Sequence, residues 1–138
     1  MAWSEYRGFL LERPRTGKLA TVRPDGRPHL APIWFDLDGD SFIFTTWHTS
    51  VKAANLRHDP RVAICVDDDA PPFAFVIVEG VATVEEQADD LLYWATRIAG
   101  RYMGAELADL YGRRNAVAGE WLVRVRPTKV VARKGISD

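Results

Sequence analysis

The spacing of apolar and polar positions changes period several times along the chain. Trp3, Tyr6, Leu10 and Leu11, with Phe9 beside them, recur at helical intervals over residues 3–13. Ser4 is a candidate N-cap for this helix and Pro14 a stop. The period then drops to two: Leu19, Thr21 and Arg23 alternate with Ala20 and Val22. Pro24-Asp25-Gly26 follows, a turn in which Pro presets φ and Gly accepts φ > 0. A second strand is predicted from Pro28 to Leu37, and Asp38-Gly39-Asp40 marks a hairpin into a third, Ser41 to Trp47. Residues Ser50 to His58 read as a short helix ended by Asp59-Pro60. Arg61 to Asp67 and Phe73 to Val84 read as strands on either side of an Asp68–Pro72 loop, and Gly80 inside the second suggests a bulge. Residues 85–112 turn helical, with Leu91, Leu92, Ala95, Ile98 and Ala99 on one stripe. The alternation resumes from Trp121 to Val125 and runs past Pro127 towards Val131.

Strands joined by tight turns are antiparallel neighbours, because a parallel crossover needs a dozen or more residues. About six such strands in a small domain best remove their edges by closing into a barrel. The pattern therefore predicts a mainly β or α+β fold, a small antiparallel barrel with helices packed on it, as one domain over residues 1–138.

Composition narrows the function classes. The 138 residues carry 18 Lys and Arg against 19 Asp and Glu, a net charge of −1 that gives no reason to expect nucleic acid. Most Arg residues are expected to be solvated surface. No uncharged apolar run reaches membrane-spanning length. The N-terminal MAWSEYRGFLLERPR intersperses charges with its apolar positions and lacks a signal-peptide core, so the expected location is the cytoplasm. The single cysteine, Cys65, excludes an intramolecular disulfide and reads as a buried, inert thiol.

The motifs for hydrolytic and nucleotide chemistry are absent: there is no G-x-S-x-G elbow, no Walker loop and no dinucleotide glycine fingerprint. His29, His48 and His58 are scattered, and none pairs with another at metal-ligand spacing. Asp67-Asp68-Asp69 reads as a solvated loop rather than a cation site, and Trp34, Trp47, Trp94 and Trp121 as core or interface residues. One place carries more. A strand ends in Thr45-Thr46-Trp47, and Ser50-Val51-Lys52 opens a helix just beyond it. A helix start presents unpaired N–H groups and a positive dipole end. Lys52 adds a full charge there, and Thr45, Thr46, Thr49 and Ser50 add hydroxyls. These make either a phosphate seat or, with Ser50 as a plain N-cap, an ordinary helix start.

The segments GKLATVRPDGRPHLAPIWFDLDGDSFIFTT, SVKAANLRHDPRVAICVDD and PPFAFVIVEGVATV carry a resemblance across about residues 5–131. Together the DGRPH-x-x-P strand, the K-x-x-N-L-R-x-D-P-R-V junction and the V-E-G strand resemble the pyridoxamine-phosphate-oxidase-like flavin and deazaflavin oxidoreductases, closest to the branch that uses coenzyme F420. The resemblance implies a six-stranded antiparallel split β-barrel (the FMN-binding split barrel) with flanking helices, usually a homodimer. It implies that the cofactor phosphate rests on Ser50, Val51 and Lys52, with Lys52 as its charge partner. The ring would lie against Pro32, Ile33 and Trp34 and the strand end Thr45, Thr46 and Trp47, with Phe73 approaching across the dimer.

The implied activity is hydride transfer from reduced F420 to an electron-poor, conjugated small organic molecule, with no metal, no nucleic acid and no membrane partner. No catalytic side chain is assigned, because the carrier brings the hydride chemistry. The alternatives are an FMN-dependent reductase or oxidase on the same fold, or a non-catalytic flavin- or haem-binding protein with His29 or His48 as axial candidate. The C-terminal Arg- and Trp-bearing motif of pyridoxamine-phosphate oxidases has no counterpart in residues 133–138, so vitamin B6 oxidation is not expected. The acidic tail of F420 would need a positive groove, for which Arg13, Lys18, Arg23, Arg27, Arg57 and Arg61 are candidates. Residues 85–118 are the part of the chain that matches least well to any subgroup, and they are expected to line or flank the open side of the pocket.

Overall fold

A computed structural model describes residues 1–138. Its elements run α1 (Trp3–Glu12), β1 (Gly17–Val22), β2 (Pro28–Ile33), β3 (Asp36–Asp38), β4 (Ser41–Trp47), α2 (Val51–His58), β5 (Arg61–Asp68), β6 (Ala74–Glu85), α3 (Leu91–Met103), a 3-10 turn (Ala105–Leu107), α4 (Ala108–Asn115) and β7 (Glu120–Lys134). Every strand pairing is antiparallel, in the order β2-β1-β5-β6-β7-β4-β3. No helix is long and apolar enough to cross a membrane.

The sheet has seven strands, not six, and it is open rather than closed by hydrogen bonds. The run expected as one strand from Pro28 to Leu37 breaks at Trp34-Phe35, and its two halves go to opposite edges of the sheet. This break produces the barrel shape. Three residue steps separate Ile33 from Asp36, a reach of at most about 11 Å of extended chain. The β2 and β3 edges must therefore lie close together, and the sheet can satisfy this only by curling round.

The curled sheet encloses Leu19, Phe35, Phe42, Phe44, Ile64, Val66, Val76, Val78 and Val123, each nearly inaccessible, with Phe9 and Leu10 of α1 plugging one end. β4 is buried on both faces. Phe42 and Phe44 point into the barrel, while Ile43 packs outside with Leu122 against Trp94 of α3. That explains a strand apolar at successive positions rather than alternating.

Polar groups of α3 fasten the seam. Asp36, 2% exposed, accepts hydrogen bonds from its neighbour Leu37 N–H at 2.8 Å and from Arg97 Nε at 3.0 Å. Arg101 donates to the carbonyls of Phe35 and Leu10, which ties the link to α1. The glycine expected to mark a bulge does so: the β6–β7 register shifts at Glu79/Gly80. A Cβ at Gly80 would stand 2.7 Å from the Arg126 carbonyl oxygen, so the two backbones approach too closely for any side chain.

Other boundaries move. The first helix starts at Trp3 with Ala2, not Ser4, at its N-cap and no side-chain cap bond. The helical stretch expected from residue 85 begins only at Leu91 and divides into α3, the 3-10 turn and α4, reaching Asn115. Cys65 is half-buried rather than buried; burial, then the Asp67 charge, pushes its thiol up, which suits an inert role.

Candidate functional site

The helix start after β4 is built by its own sequence. Ser50 is extended (φ −67°, ψ 158°), and its hydroxyl accepts from Ala53 N–H at 3.0 Å, as an N-cap should. The same hydroxyl meets Thr46 Oγ1 at 2.7 Å, so Thr46, buried at the end of β4, fixes the cap. Ser50 is thus an N-cap, and the cap consumes its side chain while leaving other donors of the turn exposed. The N–H groups of Val51 and Lys52 have no partner in the chain. The half-buried Lys52 ammonium takes part in none of the ion pairs. Two free backbone donors and one free cation thus share the first turn of α2, which is the donor set an anion requires.

Glu120 joins this group and was not foreseen. It opens β7 and pairs in register with Trp47 of β4. Its carboxylate accepts from Thr45 Oγ1 at 3.1 Å. Burial pushes its pKa above the ordinary carboxylate value, against the Thr45 hydrogen bond and the Lys52 charge, which both pull it down. The residue before it, Gly119, has φ +97°, and a Cβ there would come within 2.7 Å of the Trp47 ring and 2.8 Å of His48 Nδ1. The Gly119 carbonyl accepts from His48 N–H at 2.9 Å and from its ring Nδ1 at 3.1 Å, which fixes the tautomer. The alternation predicted a strand only from Trp121, one residue past Glu120. The meeting of Glu120 with Thr45 depended on the β4–β7 register, which the sequence does not encode locally.

The remaining predicted residues lie elsewhere in the fold. Pro32 is exposed on edge strand β2, and Ile33 turns its side chain into the core at 5% exposure, leaving only its backbone for a ligand. Trp34, 43% exposed, stacks on Tyr102 of α3 with ring centroids 4.9 Å apart. Trp47 is also exposed, whereas Trp94 and Trp121 are core. Phe73 lies with Cys65, Phe75, Ile77 and Ile136 along a groove of about 540 Å³. Ala74 pairs with Lys134 and Trp47 with Glu120, so Phe73 and Trp47 flank opposite ends of the 15-residue strand β7. That is about 45 Å of strand.

The candidate cations are mostly neutralised at home. Arg13 pairs with Asp68 at 3.0 Å, and Lys18 with Asp67, Arg27 with Asp25 and Arg61 with Asp59 each at 2.7 Å; Arg57 pairs with Glu86. Arg61 holds the Asp59 carboxyl down to about 2. Arg23 alone is unpaired, with its Nε buried and unpartnered, as is His29 Nδ1. The segment 85–118 forms the wall of a groove of about 510 Å³, lined by Ala88, Leu91, Leu92, Ala116 and Val117 and reaching Gly119 and Glu120. This groove adjoins the helix-start site through those last two residues.

Comparison with known proteins agrees with this architecture. The family described as pyridoxamine 5'-phosphate oxidase matches residues 3–134. A pyridoxine/pyridoxamine 5'-phosphate oxidase of Cupriavidus metallidurans is 30% identical over 123 residues, covering 84% of this chain and 53% of that protein. The counterpart from Rubrobacter xylanophilus is 36% identical over 98 residues, covering 69% and 44%. The chain thus spans about half the length of the curated relatives it matches. Among solved structures, a conserved hypothetical protein of Mycobacterium tuberculosis superposes with a TM-score of 0.85 at 30% identity, over 99% of this chain and 87% of that one. An F420 reductase superposes at 0.72 with 32% identity, over 90% and 94%. A haem storage protein of Vibrio cholerae superposes at 0.73 with 21% identity, over 98% and 95%, a likeness of fold alone.

Proposed function

The chain belongs to the pyridoxamine 5'-phosphate oxidase family, an oxidoreductase family with the split-barrel fold, and we propose that it is a reductase that uses coenzyme F420 to reduce a small, conjugated organic substrate. One observation carries the reading: the unpaired Lys52 ammonium beside the free N–H groups of Val51 and Lys52 forms a seat for a cofactor phosphate. The residues fit the group, because Ser50, Thr46, Thr45 and Glu120 bond within the chain and leave Lys52 and two backbone N–H groups of the turn free. Ser50 caps α2, Thr46 holds Ser50, and Thr45 holds Glu120. When bound, a reduced deazaflavin supplies a hydride.

The chain's own residues bind and orient. Lys52 and the first turn of α2 anchor the phosphate. Trp47, half exposed and fixed between Gly119 and His48, and Trp34 offer aromatic surface for a ring. The groove along Leu91, Leu92 and Val117 offers an apolar wall for the substrate next to this site. In this reading a second copy of the chain completes the pocket. Phe73 supports it, because it stands at the opposite end of β7 from Trp47 in its own chain. Leu30, Ala20, Ala63, Cys65 and Ile77 share an accessible sheet face that a homodimer would cover.

The nearly full-length likeness to an F420 reductase favours the deazaflavin. FMN is the second reading, and a specific observation favours it: five of the six cations available for an acidic tail are paired with carboxylates of the same chain. Titrating the apo-protein with each cofactor under identical salt, followed by cofactor fluorescence, separates the two. The F420 reading expects F420 to bind at least tenfold tighter than FMN. Equal or reversed affinities assign the site to FMN.

A further inference from the structure

Trp34 and Tyr102 are stacked almost parallel, with an interplanar angle of 3°. Neither ring is held by the pairing alone. The Tyr102 hydroxyl donates to the Arg15 carbonyl at 2.7 Å and accepts from Phe35 N–H at 3.2 Å. It therefore bridges the chain just before β1 and the two-residue link that forms the seam of the barrel. Both bonds fix the plane of the phenol ring, and Phe35, fully buried, fixes the backbone that carries Trp34. The outcome is an indole stacked on Tyr102 in a residue that is still 43% exposed.

We propose that Tyr102 is a positioning residue for the cofactor ring: it holds the Trp34 indole flat and open, so that the free face of Trp34 stacks the planar ring of a flavin or deazaflavin. The inference rests on the ring placement given above and adds that α3 sets it, although α3 contributes no donor to the phosphate seat. A tryptophan on an edge-strand link would otherwise have free χ angles, and ordering it would oppose binding. Stacked in advance, it presents the geometry aromatic pairs favour.

The test measures FMN and F420 affinity, and the emission of bound FMN, in Trp34→Leu, Tyr102→Leu, Tyr102→Phe and the Trp34→Leu/Tyr102→Leu double variant. An indole stacked on the isoalloxazine quenches its fluorescence, a signature that a loss of stability alone does not move. Trp34→Leu and Tyr102→Leu should each weaken binding about 3- to 10-fold and raise the emission of bound FMN. The double variant should be no worse than either single, because both remove the same platform. Tyr102→Phe keeps the ring but loses both hydroxyl bonds that fix its plane, so its loss of affinity and of quenching should lie between wild type and Tyr102→Leu. Should Tyr102→Leu fail to fold, Tyr102→Met replaces it, with the same expectation. If Trp34→Leu weakens binding but the Tyr102 variant binds and quenches as wild type, or if the two losses multiply, the positioning role is overturned and the cofactor reading stands. If Trp34→Leu changes nothing, the ring placement itself is wrong.

Discussion

Lys52 and Glu120 set opposite charges at the proposed phosphate seat, where the cation favours an anion and the carboxylate, once ionised, opposes it. Glu120 is a carboxyl whose pKa burial raises, so the folded state holds its proton more tightly than the unfolded chain does. The native state then binds more protons in the window above the ordinary Glu value, and stability falls as pH rises through it. Glu120→Gln keeps an oxygen to accept from Thr45 and removes the charge. The melting temperature of Glu120→Gln relative to wild type should therefore be higher at pH 7.5 than at pH 4.5. A difference that is flat or reversed with pH shows that ionised Glu120 costs the fold nothing. The same variant should bind the phosphate of FMN more tightly at pH 7.5, read by titration.

At the scale of elements, the glycine in β6 makes a sharp prediction. Gly80→Ala places a methyl 2.7 Å from the Arg126 carbonyl oxygen and 2.8 Å from a methyl of Val125, so backbone or core must give way. Overpacking of this kind costs about 1–3 kcal/mol, read as a lower midpoint in urea denaturation. An unchanged midpoint shows that the strands can part freely there.

This bulge was legible in the sequence because an interior glycine in an apolar strand has few other uses. Strands β1 to β4 were legible because their turns carry Pro24-Asp25-Gly26 and Asp38-Gly39-Asp40. The break at Trp34-Phe35 was not, because neither residue is a turn former and the hydrophobic run continues through it. What breaks the strand is the destination of the two halves, a property of the whole sheet. The helix start that we propose as a phosphate seat was legible because its residues lie between Thr45 and Lys52. The Thr45–Glu120 bond and the Trp34–Tyr102 stack join residues 75 and 68 positions apart, and no local pattern announces such pairs.

For the whole molecule, seven strands curl into an open barrel whose interior is filled by its own side chains, so a cofactor must lie outside it. The donor set at α2, the aromatic surfaces of Trp34 and Trp47 and the remote Phe73 are the parts of the site that we propose two copies share. Sedimentation should give a dimer at micromolar concentration. Replacing Ile77, 38% exposed on the outer face, with Asp should yield a monomer that loses cofactor affinity. A monomeric wild type that binds cofactor tightly would remove the second copy from the account.

The central claim is that this chain holds a cofactor phosphate at the start of α2, and calorimetric titration of the apo-protein with FMN, wild type against Lys52→Ala, tests it most directly. Losing one charge-assisted contact costs about 1.5–3 kcal/mol, so affinity should fall roughly 10- to 150-fold. Equal affinity in the two proteins contradicts the claim and puts the phosphate elsewhere.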